Sequence, residues 1–137
     1  MKLYKNYIDG KWLDSESKDV IQVDDPATGN IIGEISCAKK NEVDLAVSAA
    51  KAAFNSRILV DMPLLERGKL MHRIADETRK VADEGGKMLC YENGKMLGSA
   101  IKEFNDVADM FDYYAGLTDK LEGKTIPVSP TIFDYTV

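Results

Sequence analysis

The sequence has 137 residues, enough for one domain, with 45% apolar residues, 30% charged residues and a formal net charge of −5. The acidic balance excludes a broad basic face for nucleic acid or an anionic membrane surface, and no apolar run approaches the roughly 20 residues that cross a bilayer. The N-terminus lacks the apolar core of a secretory signal and Cys37 and Cys90 form no C-x-x-C motif, so we expect a cytoplasmic protein with reduced thiols.

Residues 3–35 predict four short strands. The segments 3–8 and 11–13 flank Asp9-Gly10, a two-residue turn typical of a tight hairpin. Further strands are predicted at 20–23 and 31–35, on either side of the turn that contains Pro26 and Gly29. The expected result is a small antiparallel sheet, whose free edges allow pairing with another chain.

Two helical segments are predicted next. The first has Asn41 as its N-cap and continues to about Phe54, because apolar residues recur at helical spacing. The second begins near Asp61, with Pro63 in the first turn, where the missing N–H costs nothing.

Glycines are predicted to interrupt the second helical segment. Gly85-Gly86 is expected to end or loosen this helix before a short apolar turn at 88–90, because glycine disfavours a helix interior. Asn93-Gly94 is a second stop signal.

A third long helix is predicted from about Leu97 to about Lys120, and it is apolar over most of its girth. Such a helix is buried on several sides, and two shorter helices cover only part of it. Its first stripe comprises Leu97, Ile101, Phe104, Ala108, Phe111 and Ala115, and its second Val107, Met110, Tyr114, Leu117 and Leu121.

Local catalytic signals are nearly absent. The sequence has no G-x-G-x-x-G, no G-x-x-x-x-G-K-[ST] and no H-E-x-x-H. His72 is the only histidine, which excludes a multi-histidine metal site, and we expect it to be partly exposed. Cys90 is interpreted as a small buried apolar residue, and neither cysteine has a neighbouring base that would activate it.

Eight segments, in this order, resemble the N-terminal part of the NAD(P)-dependent aldehyde dehydrogenase superfamily. None is specific alone, but together they span nearly the whole chain. They are Tyr7–Trp12, Asp25–Gly29, Ile32–Ile35, Glu42–Val47, Ala49–Phe54, Glu66–Leu70, Glu92–Lys95, and Tyr113–Gly116 continuing to Gly123–Pro127.

The resemblance implies an α+β fragment of an α/β enzyme, with a small antiparallel sheet followed by three to four helices. Residues 1–36 would be the hairpin and strands that help to build the oligomer. Residues 37–137 would be the helical, incomplete part of the nucleotide-binding domain, with the next strand starting at Thr136-Val137.

The family oxidises an aldehyde to a carboxylic acid through a cysteine thiohemiacetal, with hydride transfer to NAD or NADP. The resemblance places the catalytic cysteine and glutamate and the nucleotide-binding strands beyond residue 137. Neither Cys37 nor Cys90 matches the family's cysteine motif. We therefore expect this chain alone to be inactive and to bind neither NAD nor NADP.

Two sites are implied by position in the family. The third long helix lines the substrate entrance, which assigns Lys102, Asp106 and Met110 to it. An acid at Asp106 would favour a polar or cationic aldehyde, whereas an ordinary solvated acid is the alternative. A structural monovalent cation would be held by the backbone carbonyls of Val23 and Asp24 and by the carboxylate of Glu92.

The expected partners are the rest of the enzyme, further copies of it in a homo-oligomer, and an aldehyde substrate, with neither nucleic acid nor a membrane. The alternative hypothesis is a free-standing helical interaction or oligomerisation module without catalysis, which binds through the apolar face of the third helix.

Overall fold

Five short strands form two small sheets in the first part of the chain. The computed structural model describes residues 2–136, so Met1 and Val137, which end the predicted regions 1–36 and 37–137, lie outside the described residues. The strands are β1 (Leu3–Tyr4), β2 (Asn6–Ile8), β3 (Lys11–Leu13), β4 (Val20–Asp24) and β5 (Ile31–Ser36).

The predicted hairpin at Asp9-Gly10 is confirmed. Strands β2 and β3 pair antiparallel with Tyr7 opposite Trp12, whose ring centroids are 4.9 Å apart. Asp9 and Gly10 have φ of 51° and 76°, the left-handed conformation that this turn needs.

The single strand predicted over residues 3–8 is wrong. Strand β1 separates from β2 and pairs parallel with β5, which also pairs antiparallel with β4. The ring of Tyr4 lies over Gly33, where a β-carbon would come within 3.2 Å of it. The residue pattern gives the strand but not its partner, because β5 lies about thirty residues further along the chain.

Four helices follow these two sheets, within the three to four that the resemblance implies. They are α1 (Lys40–Asn55), α2 (Leu64–Lys80), α3 (Ala82–Asn93) and α4 (Leu97–Ala115). Helix α4 packs against both α2 and α3. Small residues allow this close approach, since Ala75, Ala100 and Ala108 are completely buried. None of the helices within residues 2–136 combines the length and the apolar character that crossing a bilayer requires.

Two predicted helix starts are displaced. Lys39 rather than Asn41 is the N-cap of α1, because the Glu42 carboxylate accepts a hydrogen bond from the Lys39 backbone N–H at 2.6 Å. Pro63 is the N-cap of α2 rather than a residue of its first turn.

The helix break predicted at Gly85-Gly86 is wrong. The chain bends at Val81, and α3 then runs through both glycines to Asn93. A β-carbon on Gly85 would lie 2.3 Å from the Phe104 ring, and one on Gly86 would lie 2.5 Å from Ile101 Cγ1. The glycines therefore mark where α3 approaches α4, and the helix stops at Gly94, whose φ is 74°.

The end of the chain differs most from the prediction. Helix α4 ends at Ala115, not near Lys120, and an antiparallel hairpin of β6 (Thr125–Ser129) and β7 (Ile132–Tyr135) follows. This stretch was predicted as part of a helical region. Every residue of both strands is exposed, so no burial pattern distinguishes them.

The predicted apolar stripes are only partly buried: some of their residues are buried and others are exposed to solvent. On α4, Ala108 and Ala115 are buried, but the second stripe is largely open, with Met110 55% exposed. On α2, Ala75 is buried whereas Leu64 is exposed. On α1, Phe54 is 81% exposed. The chain therefore presents apolar helix faces that nothing in the described residues covers.

Candidate functional site

A groove of about 470 Å³ runs along the open face of α4 beside α2. Its volume lies within the range of small-molecule sites. Met71 of α2 forms one wall and α4 supplies the rest. The α4 residues recur every three or four positions and so share one face. They are Glu103, Asp106, Val107, Met110, Phe111 and Tyr114.

Two of the three predicted entrance residues line this groove. Asp106 and Met110 do so, whereas Lys102 does not. Lys102 lies one turn earlier, and its Nζ is 2.6 Å from each carboxylate oxygen of Asp106. The other lining residues were not assigned to the entrance from the sequence, although Tyr114 and Val107 belong to the second apolar stripe predicted for this helix.

The second acid of the groove is also paired. Glu103 forms an ion pair with Lys95, the residue after the stop signal at Gly94. Both carboxylates of the groove thus have a lysine partner, and the remaining lining is apolar or aromatic. The groove therefore suits a ligand with an uncharged, apolar body better than a strongly charged one.

The predicted cation ligands are only partly brought together. Val23 and Glu92 line one cavity of about 120 Å³ between the β4–β5 sheet and α3, but Asp24 does not. The strand pairing is irregular between Val23 and Asp24. In the part of the chain that the structure describes, no group of three or more His, Cys, Asp or Glu side chains is placed to hold a metal ion. The cation site stays a prediction.

A polar cluster that the sequence did not reveal joins α2 to α4. The Asp112 carboxylate accepts hydrogen bonds from His72 Nδ1 at 2.6 Å and from Arg79 at 2.7 Å. Arg79 also donates to Asp109 at 2.7 Å. The hydrogen bond from His72, followed by that from Arg79, lowers the pKa of Asp112. Asp109 and Asp112 therefore bridge α4 to α2, although 70% of the Asp109 side chain stays accessible.

Asp112→Asn is expected to destabilise the chain at neutral pH but not in acid. Because its folded-state pKa lies below the ordinary 3.8, Asp112 contributes stability that is fully present above that value. This contribution is lost as the pH falls through the folded-state pKa. Thermal unfolding of both proteins across pH should show the gap close on acidification. Asp76→Asn is the control, since Asp76 lies 3.9 Å from Arg79; an equal effect there would contradict the bridging role.

Neither cysteine occupies a catalytic arrangement. Cys37 and Cys90 are unpaired and half-buried. His72, the only histidine, bonds to Asp112 and not to a thiol. The expectation that His72 is partly exposed is confirmed, since 56% of its side chain is accessible.

Comparison with known proteins gives one consistent result. The family model described as "Aldehyde dehydrogenase family" matches residues 12–137. A D-glyceraldehyde dehydrogenase (NADP(+)) from Picrophilus torridus is 34% identical over 97% of this chain and 27% of its own length. Retinal dehydrogenase 2 from Homo sapiens is 36% identical over 99% of this chain and 27% of its own length.

Solved structures agree with the sequence matches. Betaine aldehyde dehydrogenase from Staphylococcus aureus, in complex with NAD+, aligns with a TM-score of 0.81 and 30% sequence identity. The alignment covers 93% of this chain and 25% of the length of that protein. An aldehyde dehydrogenase mutant from Bacillus cereus aligns with a TM-score of 0.82 and 28% sequence identity. This alignment covers 98% of this chain and 28% of the length of that protein. The chain thus spans about a quarter of the length of the proteins that it matches.

Proposed function

The chain belongs to the aldehyde dehydrogenase family, and we propose that it acts as the N-terminal segment of an enzyme that oxidises an aldehyde to a carboxylic acid with NAD or NADP. The observation that carries this proposal is the family match across residues 12–137. Relatives named for this chemistry are about four times longer than the matched region. The segment would supply structure and part of the substrate entrance, and other parts of the enzyme would supply the reacting groups.

The uncovered apolar faces support this division of labour. Val47 of α1 is 60% exposed, Phe54 is 81% exposed and Leu65 of α2 is 68% exposed. Apolar area of this extent is unfavourable in water and is typical of a contact surface. Residues 37–137 would use these faces to pack as the helical part of a nucleotide-binding domain. Residues 1–36 would belong to the oligomer-forming strands.

The site residues keep the roles that the family position implies. Asp106 and Met110, with Lys102 beside them, would form one wall of the substrate entrance. Val23, Asp24 and Glu92 would hold a monovalent cation through oxygen donors, which such an ion prefers, and Val23 and Glu92 line the same cavity. The two unpaired cysteines are typical of a reducing compartment, and we place the protein in the cytoplasm.

The second candidate is a non-catalytic interaction or oligomerisation module. The same exposed face of α4 favours it, together with the exposed β6–β7 hairpin, whose edges are available for strand pairing. Two measurements distinguish the two hypotheses. A defined complex with an unrelated protein, detected by light scattering after size exclusion, would favour the module. Restored activity of an aldehyde dehydrogenase that lacks this segment would favour the enzyme segment.

The 137-residue chain alone is expected to reduce neither NAD+ nor NADP+ in the presence of an aldehyde. None of its described residues combines a free thiol with a base, and we assign the cofactor-binding strands to other parts of the enzyme. The measurement is the ultraviolet absorbance of the reduced nicotinamide, with full-length enzyme from Staphylococcus aureus as the positive control. Turnover by this chain that survives further purification would contradict the proposal.

A chimera tests the positive claim. In the Picrophilus torridus relative, the segment aligned with this chain is replaced by residues 1–137, and the reduction of NADP+ to NADPH during oxidation of D-glyceraldehyde is measured. We expect activity above that of the relative lacking the segment. A chimera that folds, as judged by its unfolding transition, but has no activity would argue against the proposed role.

A further inference from the structure

We propose that Lys102 masks the charge of Asp106 and thereby makes the entrance groove selective for aldehydes with an uncharged, apolar body. This inference rests on the proposed function, because the groove is assigned to the substrate only there. A carboxylate at the lip of an aromatic groove would by itself attract cations. The contact with Lys102 opposes that attraction.

The pair is an exposed helical ion pair, with 71% of the Lys102 side chain and 53% of the Asp106 side chain accessible. Lys102 and Asp106 are four residues apart on α4, so they lie one above the other on the same side of the helix. The ammonium nitrogen is 2.6 Å from both Oδ1 and Oδ2. One cation therefore contacts both carboxylate oxygens, which reduces the negative charge that Asp106 presents to the groove.

The rest of the lining contains no other unpaired charge among the described residues. Glu103 is held by Lys95. The remaining side chains are Met71, Val107, Met110, Phe111 and Tyr114. An ammonium-bearing ligand would lose hydration on entering this groove without gaining a free anion, whereas an apolar ligand gains burial.

The Lys102–Asp106 pair differs from an ordinary surface pair only in its position. Lys40 and Asp44 on α1 have the same i,i+4 spacing and the same 2.6 Å distance, but neither lines the groove. Lys40→Gln is therefore a matched control for Lys102→Gln, because each variant removes one lysine charge from an exposed helical pair.

The test uses the 137-residue chain and two fluorescent probes of equal size. One is a neutral dansylamide whose alkyl tail ends in a tert-butyl group, and the other carries a trimethylammonium group of the same shape in its place. The measured quantity is the ratio of their dissociation constants. The wild-type chain should prefer the neutral probe. Lys102→Gln should shift the ratio about two- to fivefold toward the cationic probe. Lys40→Gln should leave it unchanged.

Two further variants locate the effect. In Lys102→Gln/Asp106→Asn the gain for the cationic probe should disappear, because the unmasked carboxylate is gone. Met110→Lys places an ammonium among the groove residues and should weaken binding of both probes. Binding that Met110→Lys does not change would show that the probes bind elsewhere and would overturn the proposal.

Other outcomes also overturn the proposal. It fails if neither probe binds, if the wild-type chain prefers the cationic probe, or if Lys102→Gln shifts the ratio no more than Lys40→Gln. The probe experiment requires no dehydrogenase activity. An inactive chimera together with the expected probe ratios would therefore reject the proposed function but still support the screening of Asp106 by Lys102.

Discussion

Replacing Gly86 by alanine is expected to destabilise the chain by about 2–3 kcal/mol, near the upper end of overpacking effects. The added β-carbon would lie 2.5 Å from Ile101 Cγ1 and 2.9 Å from the Ile101 backbone N and Cα. A rotamer change cannot relieve a clash with backbone, so α3 and α4 must move apart. Alanine recovers about 1 kcal/mol of helix propensity, and the clash exceeds that gain.

Urea denaturation followed by circular dichroism measures this loss. Gly98→Ala is the matched control, because Gly98 also lies in a helix but its β-carbon would meet nothing within 4 Å. That variant should be neutral or up to about 0.5–1 kcal/mol more stable. Equal stabilities for Gly86→Ala and Gly98→Ala would show that α3 and α4 are not in close contact in solution.

Gly85→Ala should fall between these two variants. Its β-carbon would meet the far end of the Phe104 ring at 2.3 Å rather than backbone. The ring can rotate partly away, at the cost of its packing between α3 and α4. Pairing Gly85→Ala with Phe104→Leu should recover some of the loss.

Removing the carboxylate of Glu42 is expected to lower the unfolding midpoint by several degrees, which is the second large effect. Glu42 is 5% exposed. It accepts hydrogen bonds from the Lys39 N–H at 2.6 Å, the Ser15 hydroxyl at 2.9 Å and the Glu16 N–H at 3.0 Å. Glu42→Ala would leave the part-buried Lys39 and Glu16 N–H groups without this acceptor, which is costly, whereas the Ser15 hydroxyl can still donate to the Cys37 carbonyl oxygen.

The effect should depend on pH with a defined sign. The Lys39 backbone hydrogen bond, ahead of those from Ser15 and Glu16, lowers the pKa of Glu42 below its usual 4.5. The stabilisation is therefore fully present above about that pH and is lost as the pH falls through the folded-state pKa. Thermal unfolding of wild type and Glu42→Ala should converge in acid.

Asp44→Ala provides the control for Glu42→Ala. Asp44 is two residues further along α1 and pairs only with exposed Lys40, and such pairs contribute little. A midpoint for Asp44→Ala as low as that for Glu42→Ala would attribute the loss to the first turn of α1 in general. The specific link between α1 and residues 15–16 would then be wrong.

Elements with local signals were predictable. The turn at Asp9-Gly10, the stop at Gly94 and the helices α1, α2 and α4 depend on backbone conformations and apolar spacing that neighbouring residues determine. The resemblance to the family was equally predictable, because it depends only on the order of residues in the sequence. Of the groove, the sequence indicated Asp106 and Met110, and the i,i+4 spacing of Lys102 and Asp106 is a local pattern as well.

Elements whose identity depends on distant partners were not predictable. Gly85-Gly86 has the composition of a helix break, but Phe104 and Ile101 make it a packing surface. Leu3-Tyr4 has the pattern of a strand, but only β5 determines which sheet it joins. His72 and Asp112 are forty residues apart, so no local pattern relates them.

The sequence by itself determined the family, the strands β3 to β5, the helices α1, α2 and α4, and the residues at the turns, because each depends on short-range backbone preferences or on a linear match. The tertiary structure alone decided where α3 and α4 meet, which acids bridge helices, and which apolar faces stay open. Those features depend on contacts between residues far apart in the chain, and burial creates them only after the helices have packed.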